Sequence, residues 1–146
     1  MEDKSFTSEF LNSLWEYCAL HNMKIRDFHV ESMQALMKGM IINMSILRSK
    51  IEETIQIIDN NTDLFYQNKI DEGYKHLDNT LIKISDTIEE VIKYQSQCGK
   101  DIQGESIVGI LTEAMKALEN KDALLLADIL QYELKEVLEE VKSELL

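Results

Sequence analysis

Apolar residues recur at helical spacing along nearly the whole chain, and no stretch keeps the period-two alternation of a half-buried strand. A short first helix is predicted to begin after Thr7 or Ser8, both good N-cap residues. It puts Leu11, Leu14, Trp15 and Cys18 on one face and stops near His21-Asn22. A second helix is predicted over 27–59. Its apolar residues Met33, Met37, Met40, Met44, Leu47, Ile51, Ile55 and Ile58 advance in steps of three or four, a heptad stripe with one irregular step. Such a stripe belongs to a helix packed nearly parallel or antiparallel to a neighbour. Asn60-Asn61-Thr62-Asp63 then reads as a helix stop, a tight turn and a new N-cap.

The third helix, over 63–97, is the most regular. Ile70, Tyr74, Leu77, Leu81, Ile84, Ile88 and Val91 alternate steps of four and three without a break. At 1.5 Å per residue each of these two helices is roughly 50 Å long, and a short turn between them requires an antiparallel hairpin. Residues 98–104, with Gly99 and Gly104, read as a loop. A fourth helix over 105–118 turns Ile107, Leu111, Met115 and Leu118 inward, and Asn120-Lys121-Asp122 makes another tight connection. The fifth helix, over 122–145, carries Ala123, Leu126, Ala127, Leu130, Leu134, Val137, Leu138, Val141 and Leu145 on one face. The expected fold is all-α: one domain over 1–146, a helical bundle built on a long antiparallel hairpin, with a C-terminal helix pair and a short N-terminal helix.

Two groups of apolar side chains admit more than one reading, the first because the fifth helix carries more of them than one face can use. On the fifth helix Leu125, Ile129 and Tyr132 cluster about 150° from the main stripe. The first reading is that the short first helix or the upper hairpin covers them. The second is a dimer or partner surface that includes Asp128. Met33, Met37, Met40 and Met44 form the other group. They read foremost as core, with an adaptable groove for partner helices as the alternative, because thioether side chains are flexible and polarizable. A Cu(I) site would also use thioethers, and ranks last.

Charge narrows the function. The 146 residues carry a net charge of −12, with 27 acidic and 15 basic side chains. Residues 1–60 contribute nine acidic and six basic residues, and 61–146 contribute eighteen and nine. That acidic second half repels a phosphate backbone or an anionic membrane, so no nucleic-acid partner is expected. No apolar window approaches the ~20 residues needed to cross a bilayer, so no membrane insertion is expected either. The first residues lack the basic and apolar regions of a signal peptide, and there are only two cysteines, Cys18 and Cys98. A cytoplasmic protein with reduced thiols is expected.

No constellation points to catalysis, a cofactor or a metal. His76 lies beside the core position Leu77 and invites comparison with histidine phosphotransfer domains, which are helical bundles of similar size. Their motif continues with a basic residue and a glycine, whereas here Leu77-Asp78-Asn79-Thr80 follows, and Asp78 repels a phosphoryl group. A solvated histidine is the better reading, and neither His21 nor His29 fits better. Glu72 and His76 are four apart, where a carboxylate-bridged di-iron site needs paired Glu-x-x-His motifs. Cys18 and His21 have zinc-like spacing, but only Cys98 and His29 remain to complete a tetrahedron. Glu89-Glu90 and Glu139-Glu140 point to different sides of their helices, and phosphate-binding loops and nucleophile elbows are missing. An enzyme is not expected.

The segment Met115-Lys-Ala-Leu-Glu-Asn-Lys-Asp-Ala-Leu-Leu-Leu-Ala-Asp-Ile-Leu-Gln-Tyr-Glu-Leu-Lys135 resembles the C-terminal signature of a family of short acidic helical proteins from spore-forming Firmicutes. The resemblance extends to Phe65-Tyr-Gln-Asn-Lys-Ile-Asp-Glu-Gly-Tyr74 and the helix after it, covering about 60–142. In that family the segment after Glu-Leu runs into a proline and ends near a tryptophan, where this chain has Glu136 and Val141. The positions carried over are Lys121, Asp122, Ala127, Asp128, Tyr132 and Glu133. The family has no assigned activity, and its setting implies a link to motility or surface glycosylation. A looser similarity of class is to flagellin export chaperones, acidic cytoplasmic bundles with an N-x-D connection comparable to Asn120-Lys121-Asp122. Together these imply a non-enzymatic interaction module, an adaptor or small chaperone. The alternatives are a self-associating structural protein or phosphotransfer through His76.

Overall fold

The computed structural model describes residues 30–98 and 104–145. The first predicted helix, with Leu11, Leu14, Trp15 and Cys18, lies outside the described residues, as do His21 and His29. The described chain is all-α: α1 (Val30–Tyr66), α2 (Ile70–Gln97), α3 (Gly104–Glu119) and a fourth helical run, α4. α4 is continuous but changes pitch twice: α-helical over Ala123–Asp128, π-helical over Ile129–Leu134, and α-helical again over Lys135–Glu144.

α1 and α2 form the antiparallel hairpin. Leu47, Ile51, Ile55 and Ile58 from α1 are buried in one core with Leu77, Ile84, Ile88 and Val91 from α2. A buried polar pair fixes their register, with the Thr54 and Thr87 hydroxyls 2.6 Å apart. α4 lies on another side of α1 and runs antiparallel to it, and α3 folds back along α4. Every residue of the predicted main stripe of α4, from Ala123 to Leu145, is buried.

The hairpin turns later than its sequence suggests. Asn60-Asn61-Thr62-Asp63 is not a turn but part of α1, which continues to Tyr66, and α2 accordingly starts at Ile70 rather than near residue 63. Weak helix formers are held here by what their side chains meet. Asn61 Nδ2 donates to the Gly73 carbonyl at 3.0 Å across the hairpin. The Thr62 hydroxyl lies 2.9 Å from the Ile58 carbonyl and 3.0 Å from Gln131 Oε1. Phe65, one heptad beyond Ile58, is 1% exposed and extends the apolar stripe through the polar run. Tertiary burial thus outweighs local propensity. Gly73 makes this packing possible: a Cβ there would lie 2.5–2.9 Å from the Phe65 ring.

The actual turn is Gln67-Asn68-Lys69. Asn68 adopts φ 62°, the Lys69 amide donates to Leu64 O (2.8 Å) and the Asn68 amide to Phe65 O (3.1 Å). This is a Schellman ending with Asn at its left-handed position. The Asn120-Lys121-Asp122 connection repeats it. Lys121 has φ 55°, and its amide and that of Asp122 reach back to Leu118 O and Ala117 O. The Asp122 carboxylate then accepts from the Leu125 amide at 3.1 Å, capping α4 as its sequence predicts. On α3, Ile107, Ala114 and Ala117 are buried, whereas Met115 points outward and is exposed, contrary to the inward position expected. Ala114 and Ala117 take the buried positions on either side of Met115, with Leu111 and Leu118 partly buried against the same core.

Candidate contact surface on the fourth helix

Three polar contacts descend the boundary between α1 and α4. Tyr66 Oη donates to Asp128 Oδ1 at 2.6 Å, Thr62 Oγ1 donates to Gln131 Oε1 at 3.0 Å, and Lys135 Nζ pairs with Asp59 Oδ1 at 2.8 Å. They span the π-helical segment from end to end. A π turn closes i→i+5 hydrogen bonds, takes in an extra residue and re-aims the side chains that follow, and such turns concentrate at functional sites. Here the three contacts fix which residues face outward.

Of the four residues that sequence spacing groups as a contact surface, three lie together. Leu125, Asp128 and Tyr132 share the outward face of α4 at i, i+3 and i+7. Leu125 is 48% exposed and Tyr132 65%. Ile129 does not belong with them: it is 4% exposed, buried against the core on a stretch of α4 that packs on both α1 and α3. Cover from two sides makes α4 apolar over more than one stripe, which accounts for the surplus seen in its sequence. Of the other positions carried over by resemblance, Ala127 is fully buried, while Lys121, Asp122 and Glu133 are exposed.

Two residues join this surface that sequence reasoning did not place there. Leu124 is 57% exposed and shares a cleft with Tyr66, Asn68 and Lys121 at the end of the bundle where both turns meet. Tyr66 lies in a segment read from sequence as the start of the next helix, and no periodic signal connects it with Asp128, 62 residues away. Its hydroxyl is held well above the ordinary tyrosine value. Loss of surrounding water is the largest cause, followed by the hydrogen bond to Asp128, the charge of that carboxylate and the nearby Tyr132.

The surface therefore combines two tyrosines, two leucines and a carboxylate already engaged by a phenol. A domain of unknown function, DUF8042, matches residues 47–144 and so takes in all of α2, α3 and α4, about half of α1 and this whole surface. The chain belongs to the DUF8042 family. No curated protein and no solved structure matches it.

The remaining candidates are dispersed. Met44 is buried in the hairpin core, and Met33, Met37 and Met40 are half-buried nearer the start of α1, outside the DUF8042 match. His76 is exposed on α2 beside Asn60, Asn61 and Asn79. Cys98 is buried with a free thiol. Among the described residues no three His, Cys, Asp or Glu side chains come together as metal ligands, and no helix is long and apolar enough to cross a membrane.

Proposed function

We propose that this DUF8042 chain is a non-enzymatic interaction module, an adaptor or small chaperone of the bacterial cytoplasm, serving a motility or surface-associated pathway. Its partner docks on Leu124, Leu125, Asp128 and Tyr132 together with Tyr66. The observation that carries this reading is the exposure of Tyr132 and the two leucines on a helix segment pinned by three cross-helix polar contacts. A surface already ordered before binding loses less entropy on association, and tyrosines supply large contact area with few rotatable bonds. The acidic residues around it favour partners with a basic rim and reject acidic ones.

The test is light scattering on the purified chain, then affinity capture from the native cytoplasm, with wild type compared against Leu125→Glu/Tyr132→Glu. Both positions are exposed, so the double variant should keep its helical circular dichroism and its melting midpoint. Loss of one enriched partner in the folded variant supports the adaptor reading. A wild-type dimer that the variant turns into a monomer, with no partner enriched in either, replaces it with self-association. Charge at Ile129 would report on folding instead, because that side chain is buried.

A further inference from the structure

The side of α1 turned away from α4 carries a cleft of its own. Ile57, Asn60, Asn61 and Leu64 advance by three or four residues, roughly 180° round the helix from Asp59, Thr62 and Tyr66, which bond α4. His76, Asn79 and Thr80 of α2 form the other wall, and the cleft between them measures 340 Å³. Asn61 and Thr80 are buried, whereas Asn60, His76 and Asn79 stand exposed around them. Only half of the Asn61 amide is satisfied: Nδ2 donates to Gly73 O at 3.0 Å, but the buried Oδ1 accepts no hydrogen bond. Thr80, level with Asn61 in the register set by Thr54 and Thr87, gives its hydroxyl hydrogen to the His76 carbonyl at 3.1 Å. Asn60 Oδ1 is taken by Gln56 Nε2 at 3.1 Å, so Asn60 has its own Nδ2 left to donate. A buried acceptor without a donor forfeits the hydrogen bonds it made in water, and folded proteins leave few such groups.

We propose that this cleft binds a neutral carboxamide, whose NH₂ donates to Asn61 Oδ1 and whose carbonyl accepts from the amides of Asn60 and Asn79. Hydrogen-bonding complementarity selects that group: the cleft offers an acceptor at its floor, amide donors at its rim, and no carboxylate or ammonium in its lining. A carboxylate ligand brings no donor and is repelled by a chain of net charge −12. An ammonium would give up its water with no carboxylate in the lining to replace it. Ile57 and Leu64, both half-buried, supply an apolar wall for the alkyl part of the ligand. Entry requires only that the exposed rim side chains Asn60, His76 and Asn79 swing aside, while the backbone hairpin stays as it is. The carboxamide belongs either to a small free amide or to an Asn or Gln side chain of a protein partner.

The probe is propionamide, with butanone, propionate and propylammonium as counterparts of similar shape. In proton–nitrogen correlation spectra of the full chain, propionamide should shift the side-chain amides of Asn60, Asn61 and Asn79 saturably. The three counterparts should bind about tenfold more weakly or not at all. Asn79→Ala, at an exposed position, should weaken propionamide about fivefold with helical circular dichroism unchanged. Butanone keeps the carbonyl and lacks the donor, so its comparison reads Asn61 Oδ1 without any variant. The peptides Gly-Gly-Gln-Gly-Gly and Gly-Gly-Glu-Gly-Gly then separate the sources. Preference for the glutamine peptide assigns the site to a partner's side chain, and propionamide binding alone assigns it to a small free amide; both uphold the proposal. Leu125→Glu/Tyr132→Glu should leave the response intact, so this site and the α4 docking surface stand or fall separately. Equal binding of butanone, or full affinity in Asn79→Ala, overturns the proposal. So does the lack of any saturable shift, which would leave Asn61 Oδ1 to water.

Discussion

The two halves of α1 share one heptad stripe but not one environment. Over 51–66 the helix lies between α2 and α4, and even its poor helix formers Asn61 and Thr62 are buried and bonded to neighbours. Over 33–50 it has α2 on one side for a few turns and then no described neighbour, and Ile42 and Ile46 stand in solvent. The difference teaches that apolar spacing marks where a partner can sit, whereas buried polar residues mark where one does sit. Burying an Asn or Thr costs free energy unless partner atoms offset it, as the Gly73 carbonyl does for Asn61 Nδ2 and Gln131 for the Thr62 hydroxyl.

The widest contrast should come from truncating one large side chain in each half. Phe65→Ala removes a fully buried ring and should cost about 3–5 kcal/mol in urea unfolding, while Ile46→Ala, at 60% exposure, should stay within about 0.5 kcal/mol. Equal costs would erase the distinction. A smaller effect should appear at the polar pair of the covered half. Thr54→Val leaves the Thr87 hydroxyl without its partner and should cost about 1–3 kcal/mol, whereas Thr54→Val/Thr87→Val should recover part of that loss. Strict additivity of the two single changes would mean that the hydroxyls do not act as a pair.

The smallest effect is the most specific and lies at the end of the covered half. The Tyr66 phenol is held neutral in the fold above its ordinary value near 10, so the unfolded chain ionises first as pH rises. Its contribution is therefore complete below about pH 10 and is lost as pH climbs through the raised folded value. Tyr66→Phe should flatten this alkaline component of the stability curve and leave the neutral-pH melting curve shape unchanged. An identical alkaline slope in the variant would assign the component to other groups.

Much of this architecture was legible in the sequence because core burial repeats with the helix. Leu47, Ile51, Ile55 and Ile58, the α2 stripe around Ile84 and Ile88, and the main face of α4 were all readable from spacing alone. Residues 60–63 misled because turn-forming side chains also serve as buried donors, and only Gly73 and Gln131, distant in sequence, reveal which role applies. The π segment left no periodic trace, since one residue taken into a turn alters the phase by less than the width of an apolar face. Ile129 was misassigned because a wheel drawn for one seam cannot show that α1 and α3 both cover α4. Leu125, Asp128 and Tyr132 were readable as a surface, whereas Tyr66 was not, because their connection is made by folding alone.

The ladder on α4 also bears on the order in which the molecule assembles. Its three contacts close sequence separations of 62, 69 and 76 residues, whereas the Asn61–Gly73 bond that locks the hairpin closes only 12. Short loops lose less chain entropy on closing and form sooner. The hairpin is therefore expected to form first and to act as a template on which α4 adopts its π turn. Pulse-labelled hydrogen exchange during refolding should show amides of 50–90 protected before those of 129–134; the reverse order would make the C-terminal pair the nucleus. On this scheme the exposed face of Leu125, Asp128 and Tyr132 is the last part of the molecule to mature, so under the docking role proposed above a chain caught part-way through folding would hold its core yet lack its docking face.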